Sequence, residues 1–179
     1  MKIECVKDKL KEVVMIAERI AGRNLNLPIL GAILLETGNK VLIIKSTNLE
    51  VGVEIEIPAK IDEVGSITIK ASVLNNFLNN LNKEVKIQLN TINNNLQIIT
   101  ENTNTLIKSL NNDDFPIIPK INQENGFIIN SSILADSLKS VVFAAALSDI
   151  KPEISSVYIY NKANELFFVA TDSFRLVEK

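Results

Sequence analysis

Few side chains in this sequence could carry out catalysis. The chain has no histidine, so it holds no histidine-based triad, metal site or proton shuttle. It also has no G-x-x-x-x-G-K-[ST] string and therefore no P-loop. The one cysteine, Cys5, excludes an internal disulfide and a multi-thiolate metal site, and in a predicted strand it favours an inert buried thiol. Asp113 and Asp114 could be a carboxylate pair, but Pro116 and a polar linker favour a turn. We expect no enzyme and no cofactor.

A polar turn between two apolar strands occurs three times. Residues 166–176 read LFFVATDSFRL, residues 41–51 read VLIIKSTNLEV, and residues 96–106 read LQIITENTNTL. In our alignment Ser46 matches Thr171, Asn48 matches Ser173, Leu49 matches Phe174 and Val51 matches Leu176. Three hairpins on one template predict a repeated unit.

Apolar periodicity predicts one helix and four strands in each unit. The predicted helices span 7–21, 72–81 and 132–147, the last capped by Ser131 or Ser132. The predicted strands are 2–6, 32–36, 40–45, 51–57, 66–70, 84–89, 96–100, 105–110, 127–130, 154–160, 165–170 and 174–177. Residues 58–65 are predicted as a connection and 111–126 as a linker, and Asn75 is placed on the outer face of the second helix.

Each predicted unit has the order β-α-β-β-β and leaves sheet edges and an apolar face open. Two units can cover each other, so we predict an α+β fold with helices on one face of antiparallel sheets. Residues 1–118 are expected to form one domain of two units, and 119–179 the first half of a second domain that is truncated or completed by another chain. In the alternative, the third unit packs onto the first domain and closes a three-unit fold.

Composition sets limits on partners and compartment. Hydrophobic residues make up 46% and charged residues 22% of 179 residues, which is ordinary for a globular protein. The net charge is −2, so any contact with DNA must come from a local patch or from shape. No apolar run reaches 18 residues, and the N-terminus lacks the apolar core of a signal peptide. We expect a cytoplasmic location and no membrane partner.

Four local strings, taken in order and at these spacings, resemble the bacterial sliding clamp family, the β subunit of DNA polymerase III. They are Leu27-Pro28-Ile29-Leu30 after Gly22-Arg23, Ser46-Thr47-Asn48-Leu49-Glu50, Asp113-Asp114-Phe115-Pro116, and Ala170-Thr171-Asp172-Ser173-Phe174-Arg175-Leu176. The resemblance covers all 179 residues. It implies a DNA-clamp fold in a head-to-tail homodimeric ring around duplex DNA, which tethers the replicative polymerase as a non-catalytic processivity factor.

The resemblance also implies binding residues. Part of a pocket for short linear peptides is implied at six positions: Ile154, Thr171, Ser173, Phe174, Arg175 and Leu176. Contacts with DNA are implied at Arg23, Ser148 and Lys151. The implied partners are double-stranded DNA, the polymerase III catalytic subunit, the clamp loader and other proteins with clamp-binding motifs. Because other walls of the family's pocket come from parts outside these residues, we expect this chain to bind such peptides weakly or not at all.

Simpler interpretations of the same residues stay open. Leu176 and Ile154 could be core residues, a loop arginine such as Arg23 is often only solvated, and the polar face of the first helix could face water instead of DNA. The whole chain could also be a generic interaction or self-assembly module with the same fold that does not encircle DNA.

Overall fold

The computed structural model describes residues 1–22, 27–81, 85–119, 128–148, 150–163 and 165–179. The chain forms two compact units, Met1–Lys120 and Ile121–Lys179. The helices are α1 (Lys7–Ile20), α2 (Ala71–Asn80) and α3 (Ser131–Val142), with short 3₁₀ helices at Pro28–Gly31 and Asn112–Asp114. The strands are β1 (Lys2–Val6), β2 (Ala32–Thr37), β3 (Val41–Thr47), β4 (Gly52–Glu63), β5 (Ser66–Lys70), β6 (Lys86–Ile92), β7 (Asn95–Ile99), β8 (Asn104–Leu110), β9 (Tyr158–Lys162), β10 (Glu165–Thr171) and β11 (Leu176–Glu178).

The first unit is a closed antiparallel barrel in the order β1-β4-β3-β2-β5-β8-β7-β6. The predicted β-α-β-β-β order of its two halves is confirmed, and the halves join at two seams, β2 with β5 and β1 with β6. Closure leaves no free sheet edge in the barrel. The core is built almost entirely from Ile, Leu and Val side chains of the strands and of α1 and α2.

The two helices of the barrel pack against each other through a polar pair that the sequence did not predict. Leu10 and Val14 of α1 and Leu74 and Leu78 of α2 are fully buried, and the two residues of each pair lie four positions apart on one helix face. The placement of Asn75 on the outer face was wrong. Asn75 is only 9% exposed, and its side-chain amide donates to the Glu18 carboxylate of α1. Burial of an amide without a hydrogen-bond partner costs free energy, and the hydrogen bond to Glu18 avoids that cost where the two helices pack.

Strand β4 runs through Pro58, so the predicted connection at 58–65 was wrong. Val41 lies opposite Pro58 at the end of the pairing with β3, and Ala59 then lies opposite Cys5 in the pairing with β1. The Ala59 N–H donates to the Lys40 carbonyl at 3.0 Å, at the point where β4 changes partner. Proline has no N–H to contribute to a ladder, and this change of partner is a position that tolerates it.

The second unit is a three-stranded antiparallel sheet, β11-β10-β9, with α3 packed on one face. Three predictions here were wrong: α3 ends at Val142 instead of 147, its N-cap is Asn130, and β9 begins at Tyr158 instead of 154. The Asn130 side chain accepts the Ser132 N–H at 2.9 Å. Residues 128–130 carry no strand pairing, and residue 127 of that predicted strand lies outside the described residues.

The three hairpin turns share one hydrogen-bond pattern. Asn48, Thr100 and Asp172 each donate their N–H to the carbonyl three residues on, and each side-chain oxygen accepts the N–H groups two and three residues on. The repeat is confirmed, but our alignment was one residue out for the first and third turns. Leu49 and Ser173 are the matching positions, with φ of 78° and 76°. Side-chain oxygens that cap such turns are typical of Asn, Asp and Thr.

Among the helices described, none is long and apolar enough to cross a bilayer.

Candidate functional site

Five of the six predicted peptide-pocket residues lie in the turn between β10 and β11 or at the strand ends that flank it. The Thr171 hydroxyl donates to the Arg175 carbonyl at 2.7 Å and accepts the Ser173 N–H at 3.1 Å. Phe174 is 98% exposed and Leu176 is 66% exposed. The turn therefore holds its backbone rigidly while it presents two apolar side chains to solvent.

Asp172 organises this turn. Its Oδ1 accepts the N–H groups of Phe174 and Arg175, each at 3.0 Å, and its Oδ2 accepts the Arg175 Nε–H at 2.9 Å. The two backbone hydrogen bonds, first from Arg175 and then from Phe174, lower the pKa of the Asp172 carboxyl below its ordinary value, and the nearby guanidinium adds to the effect. The anionic form is thus the one that the turn stabilises.

Arg175 also contacts the segment that follows α3. Its guanidinium carbon lies 5.8 Å from the centroid of the Phe143 ring, within the range of a cation–π contact. Phe143 is itself 58% exposed. The predicted helix 132–147 ran past Phe143, and no local signal in the sequence marks this residue, because its contact with Arg175 depends on where α3 ends.

Ile154, the sixth pocket residue, lies on a turn before β9 and not on the strand. Its carbonyl accepts the Ala146 N–H at 2.9 Å, and its N–H donates to the Lys151 carbonyl at 3.1 Å. Leu30 makes the same two backbone bonds in the barrel, with Gly22 and Leu27, and is 3% exposed. Ile154 is half-buried. It belongs to a turn whose counterpart packs inward, and enough of its side chain is exposed for a ligand to touch.

The structure describes two of the three residues that were predicted to contact DNA. Ser148 and Lys151 are both exposed in the segment between α3 and β9. The Ser148 hydroxyl oxygen accepts the Ile150 N–H at 3.4 Å. Arg23 lies outside the described residues. Two of the three predicted residues thus fall on one exposed segment of the second unit.

The described residues offer no acidic, cysteine or histidine cluster that could hold a metal ion. Cys5 is 4% exposed on β1, and its burial, followed by the charge on Glu4, raises the pKa of the thiol to about 12. A thiol with so high a pKa has almost no nucleophilic thiolate at neutral pH. The Cys5 side chain therefore packs as a small apolar group.

The residues of the barrel carry a family signature. A family model described as the N-terminal domain of the DNA polymerase III beta subunit matches residues 1–119. The chain belongs to the DNA polymerase III beta subunit family.

Named relatives agree with this assignment. The beta sliding clamp of Buchnera aphidicola subsp. Rhopalosiphum padi is 30% identical over 98% of this chain and 48% of its own length. The beta sliding clamp of Synechococcus elongatus is 23% identical over 98% of this chain and 48% of its own. The chain thus spans about half the length of the curated relatives it matches.

Solved structures share the fold. The DNA polymerase sliding clamp of Bacillus subtilis superposes with a TM-score of 0.93 at 23% identity, over 99% of this chain and 49% of that one. The DNA polymerase III beta subunit of Thermotoga maritima superposes with a TM-score of 0.87 at 27% identity, again over 99% and 49%. The predicted α+β clamp fold is confirmed.

Proposed function

We propose that this chain is the part of a DNA sliding clamp that forms one complete clamp domain, residues 1–118, and the first half of a second, residues 119–179. The match of the family model to residues 1–119 carries the proposal. The clamp encircles duplex DNA in the cytoplasm as a homodimeric ring and tethers the replicative polymerase as a non-catalytic processivity factor. A generic interaction module has less support, because the named relatives are sliding clamps.

The net charge of the chain favours retention on DNA by encirclement over retention by tight binding to DNA. A net charge of −2 gives no overall attraction to a polyanion. Arg23, Ser148 and Lys151 supply a small, sequence-independent contact with phosphates. Each neutralised phosphate adds only about −0.9 to the slope of log K against log salt, so a topological link has to provide the retention.

Partners dock by short peptide motifs at the turn between β10 and β11. The exposed Phe174 and Leu176 receive an apolar anchor, and Arg175 offers donors for carbonyl or carboxylate groups. The partners are the polymerase III catalytic subunit, the clamp loader and other proteins that carry such motifs. A sliding clamp from Bartonella birtlesii with the same fold has been solved bound to griselimycin, so clamps of this family do hold a ligand.

Primer extension tests the tethering role. The full-length clamp that contains this chain is added, with a bacterial clamp loader and polymerase III catalytic subunit, to a primed circular template under single-hit conditions. We expect longer products per binding event, and product lengths that do not change would contradict the proposal.

Two matched substitutions test the docking turn. Leu176→Glu should abolish the binding of a labelled clamp-binding peptide, measured by fluorescence anisotropy on the full-length clamp that contains this chain. Leu49→Glu changes a residue of similar exposure, 62%, on the equivalent turn of the barrel and should leave binding unchanged. If both variants lost peptide binding equally, the turn between β10 and β11 would not be the docking site.

A salt titration tests the contact with DNA. Lys151→Ala should make the slope of log K against log salt shallower by about 0.9 on duplex DNA, whatever the sequence of the duplex. Lys162→Ala removes an equal charge from β9 as the control. A slope that Lys151→Ala leaves unchanged would contradict the assigned contact.

A further inference from the structure

A groove opens on the barrel where β4 exchanges one neighbouring strand for another. Strand β4 pairs with β3 as far as Pro58 and with β1 from Ala59 onwards. Residues of the turn between β2 and β3 and of the end of β1 line this groove together with β4, and its volume is about 760 Å³. Every lining residue belongs to the closed barrel of Met1–Lys120. The walls of the groove therefore come from one compact unit alone.

Apolar side chains form a large part of the lining. Val64 is 79% exposed and Val6 is 38% exposed. Pro58 is exposed as well, and Ala59 and Ile61 are half-buried between them and the core. Exposed apolar groups that gather in a concave surface with a polar rim are typical of a site that binds a partner.

The rim of the groove is positively charged. Lys40, Lys60 and Lys86 all line it, and Glu4 is the one carboxylate among the lining residues described. Three lysines and one glutamate give the lining a net charge of +2, whereas the whole chain has a net charge of −2. A positive groove on a negative chain attracts anionic groups to one place.

The ammonium groups of these lysines are accessible to a ligand. The Lys86 ammonium lies 3.0 Å from the Glu4 carboxylate, the Lys60 ammonium lies 3.4 Å from the Asp62 carboxylate, and the lysine side chains are 69% and 72% exposed. Lys40 is exposed and forms no salt bridge within the part of the chain that the structure describes. Exposed ion pairs contribute little to stability, so the carboxylates of a ligand can share or replace them.

The other half of the barrel has a depression in the equivalent place with different chemistry. It lies where β8 ends, beside the start of β5 and the turn between β6 and β7. No lysine is found among its described lining residues, whose polar members include Ser66, Asn94, Asn111, Asn112 and Asp113. The lysines are therefore a property of one groove and not of the repeated fold.

We propose that this groove binds an acidic segment of a partner protein. An apolar side chain of the segment packs against Val6 and Val64, and its carboxylates pair with Lys40, Lys60 and Lys86. The exposed valines favour a peptide over a nucleic acid, because phosphate groups gain nothing from apolar contacts. The groove is additional to the docking turn between β10 and β11, and its role does not depend on encirclement of DNA.

Fluorescence anisotropy on the full-length clamp that contains this chain tests the proposal. The probe is a fluorescein-labelled peptide in which one leucine is flanked on each side by glutamates, and we expect saturable binding that weakens as salt is added. Lys40→Glu and Lys60→Glu should each weaken binding by on the order of tenfold, because each replaces an attraction by a repulsion. Lys9→Glu makes the same change of charge at an exposed position on α1 and should leave binding unchanged.

Two further measurements separate this groove from other sites. A probe with glutamine in place of each glutamate should bind on the order of tenfold more weakly, and Leu176→Glu should leave the binding of the acidic probe unchanged. Circular dichroism shows that each variant is folded.

Absence of saturable binding, a loss as large with Lys9→Glu as with Lys40→Glu, or a loss with Leu176→Glu would each overturn the proposal. Equal binding of the glutamine probe would also overturn it, since the lysines would then have no role. Tighter binding of a single-stranded oligonucleotide that depends on the same lysines would assign the groove to nucleic acid instead.

Discussion

Asp172 and Arg175 are joined by three hydrogen bonds across a single turn. The Asp172 N–H donates to the Arg175 carbonyl at 3.3 Å, the Arg175 N–H donates back to Oδ1 at 3.0 Å, and the Arg175 Nε–H donates to Oδ2 at 2.9 Å. Asn48 makes the equivalent backbone bonds in the barrel without a charge. The same turn thus exists in a neutral and in a charged form within one chain.

Substitutions of Asp172 separate the contribution of its two backbone hydrogen bonds from that of its ion pair with Arg175. Asp172→Asn keeps an acceptor for the two N–H groups, as Asn48 does, but loses the ion pair with Arg175. Asp172→Ala loses both. We expect amide hydrogen exchange at Phe174 and Arg175, followed by NMR, to quicken modestly in the first variant and strongly in the second. Equal exchange in all three proteins would show that the carboxylate does not hold the turn.

The lowered pKa of Asp172 predicts how the turn responds to acid. Because the pKa is lower in the folded chain than the ordinary 3.8, the carboxylate stabilises the turn above that ordinary value. The contribution is lost as the pH falls through the lower, folded pKa. An NMR titration of the Phe174 and Arg175 amide shifts should show a midpoint below 3.8, and Asp172→Asn should abolish it. A midpoint above 3.8 would contradict the hydrogen-bond pattern.

The removal of a buried hydroxyl group should affect the free energy of unfolding differently at two positions in the barrel. The Ser46 hydroxyl has no exposed surface and donates to the Ala17 carbonyl at 2.9 Å, whereas the Thr68 hydroxyl is equally buried with no partner among the described residues. Ser46→Ala should lower the free energy of unfolding by about 1 kcal/mol. Thr68→Val should leave it unchanged or raise it. Urea unfolding measures both, and equal losses would contradict this account.

Cys5 should be inert in the folded barrel. A pKa of about 12 leaves roughly a thousandfold less thiolate than an ordinary thiol has, and the side chain is also shielded from reagents. Labelling with iodoacetamide at pH 8 should be slow in buffer and fast in guanidinium chloride. If the native protein were labelled as fast as the denatured one, β1 would not be seated in the barrel as described.

The sequence predicted the elements that local chemistry decides. Asn93 and Asn94 lie between the predicted strands 84–89 and 96–100, and both adopt positive φ in the tight turn there, a conformation that asparagine tolerates. Leu10 and Val14 lie four residues apart in the predicted helix 7–21, a spacing that puts them on one face, and both are fully buried. In each case a few neighbouring residues suffice to specify the structure.

The errors arose where distant contacts decide. Strand β4 continues beyond Pro58 because it pairs there with β1. Asn75 is buried because Glu18 of another helix accepts its hydrogen bond. Ile154 lies on a turn anchored by Ala146. For the candidate site, the turn residues could be predicted from the sequence. The contact of Arg175 with Phe143 could not, because it depends on where α3 ends.

The most direct test of the central claim, that this protein works by encirclement, is retention on circular against linear DNA. The full-length clamp that contains this chain is loaded by a bacterial clamp loader onto a nicked plasmid and isolated with it by gel filtration, and the plasmid is then cut once with a restriction enzyme. We predict that the protein stays on the circle and is released when the DNA is linearised. Equal retention on both forms, with the same dependence on salt, would contradict the account.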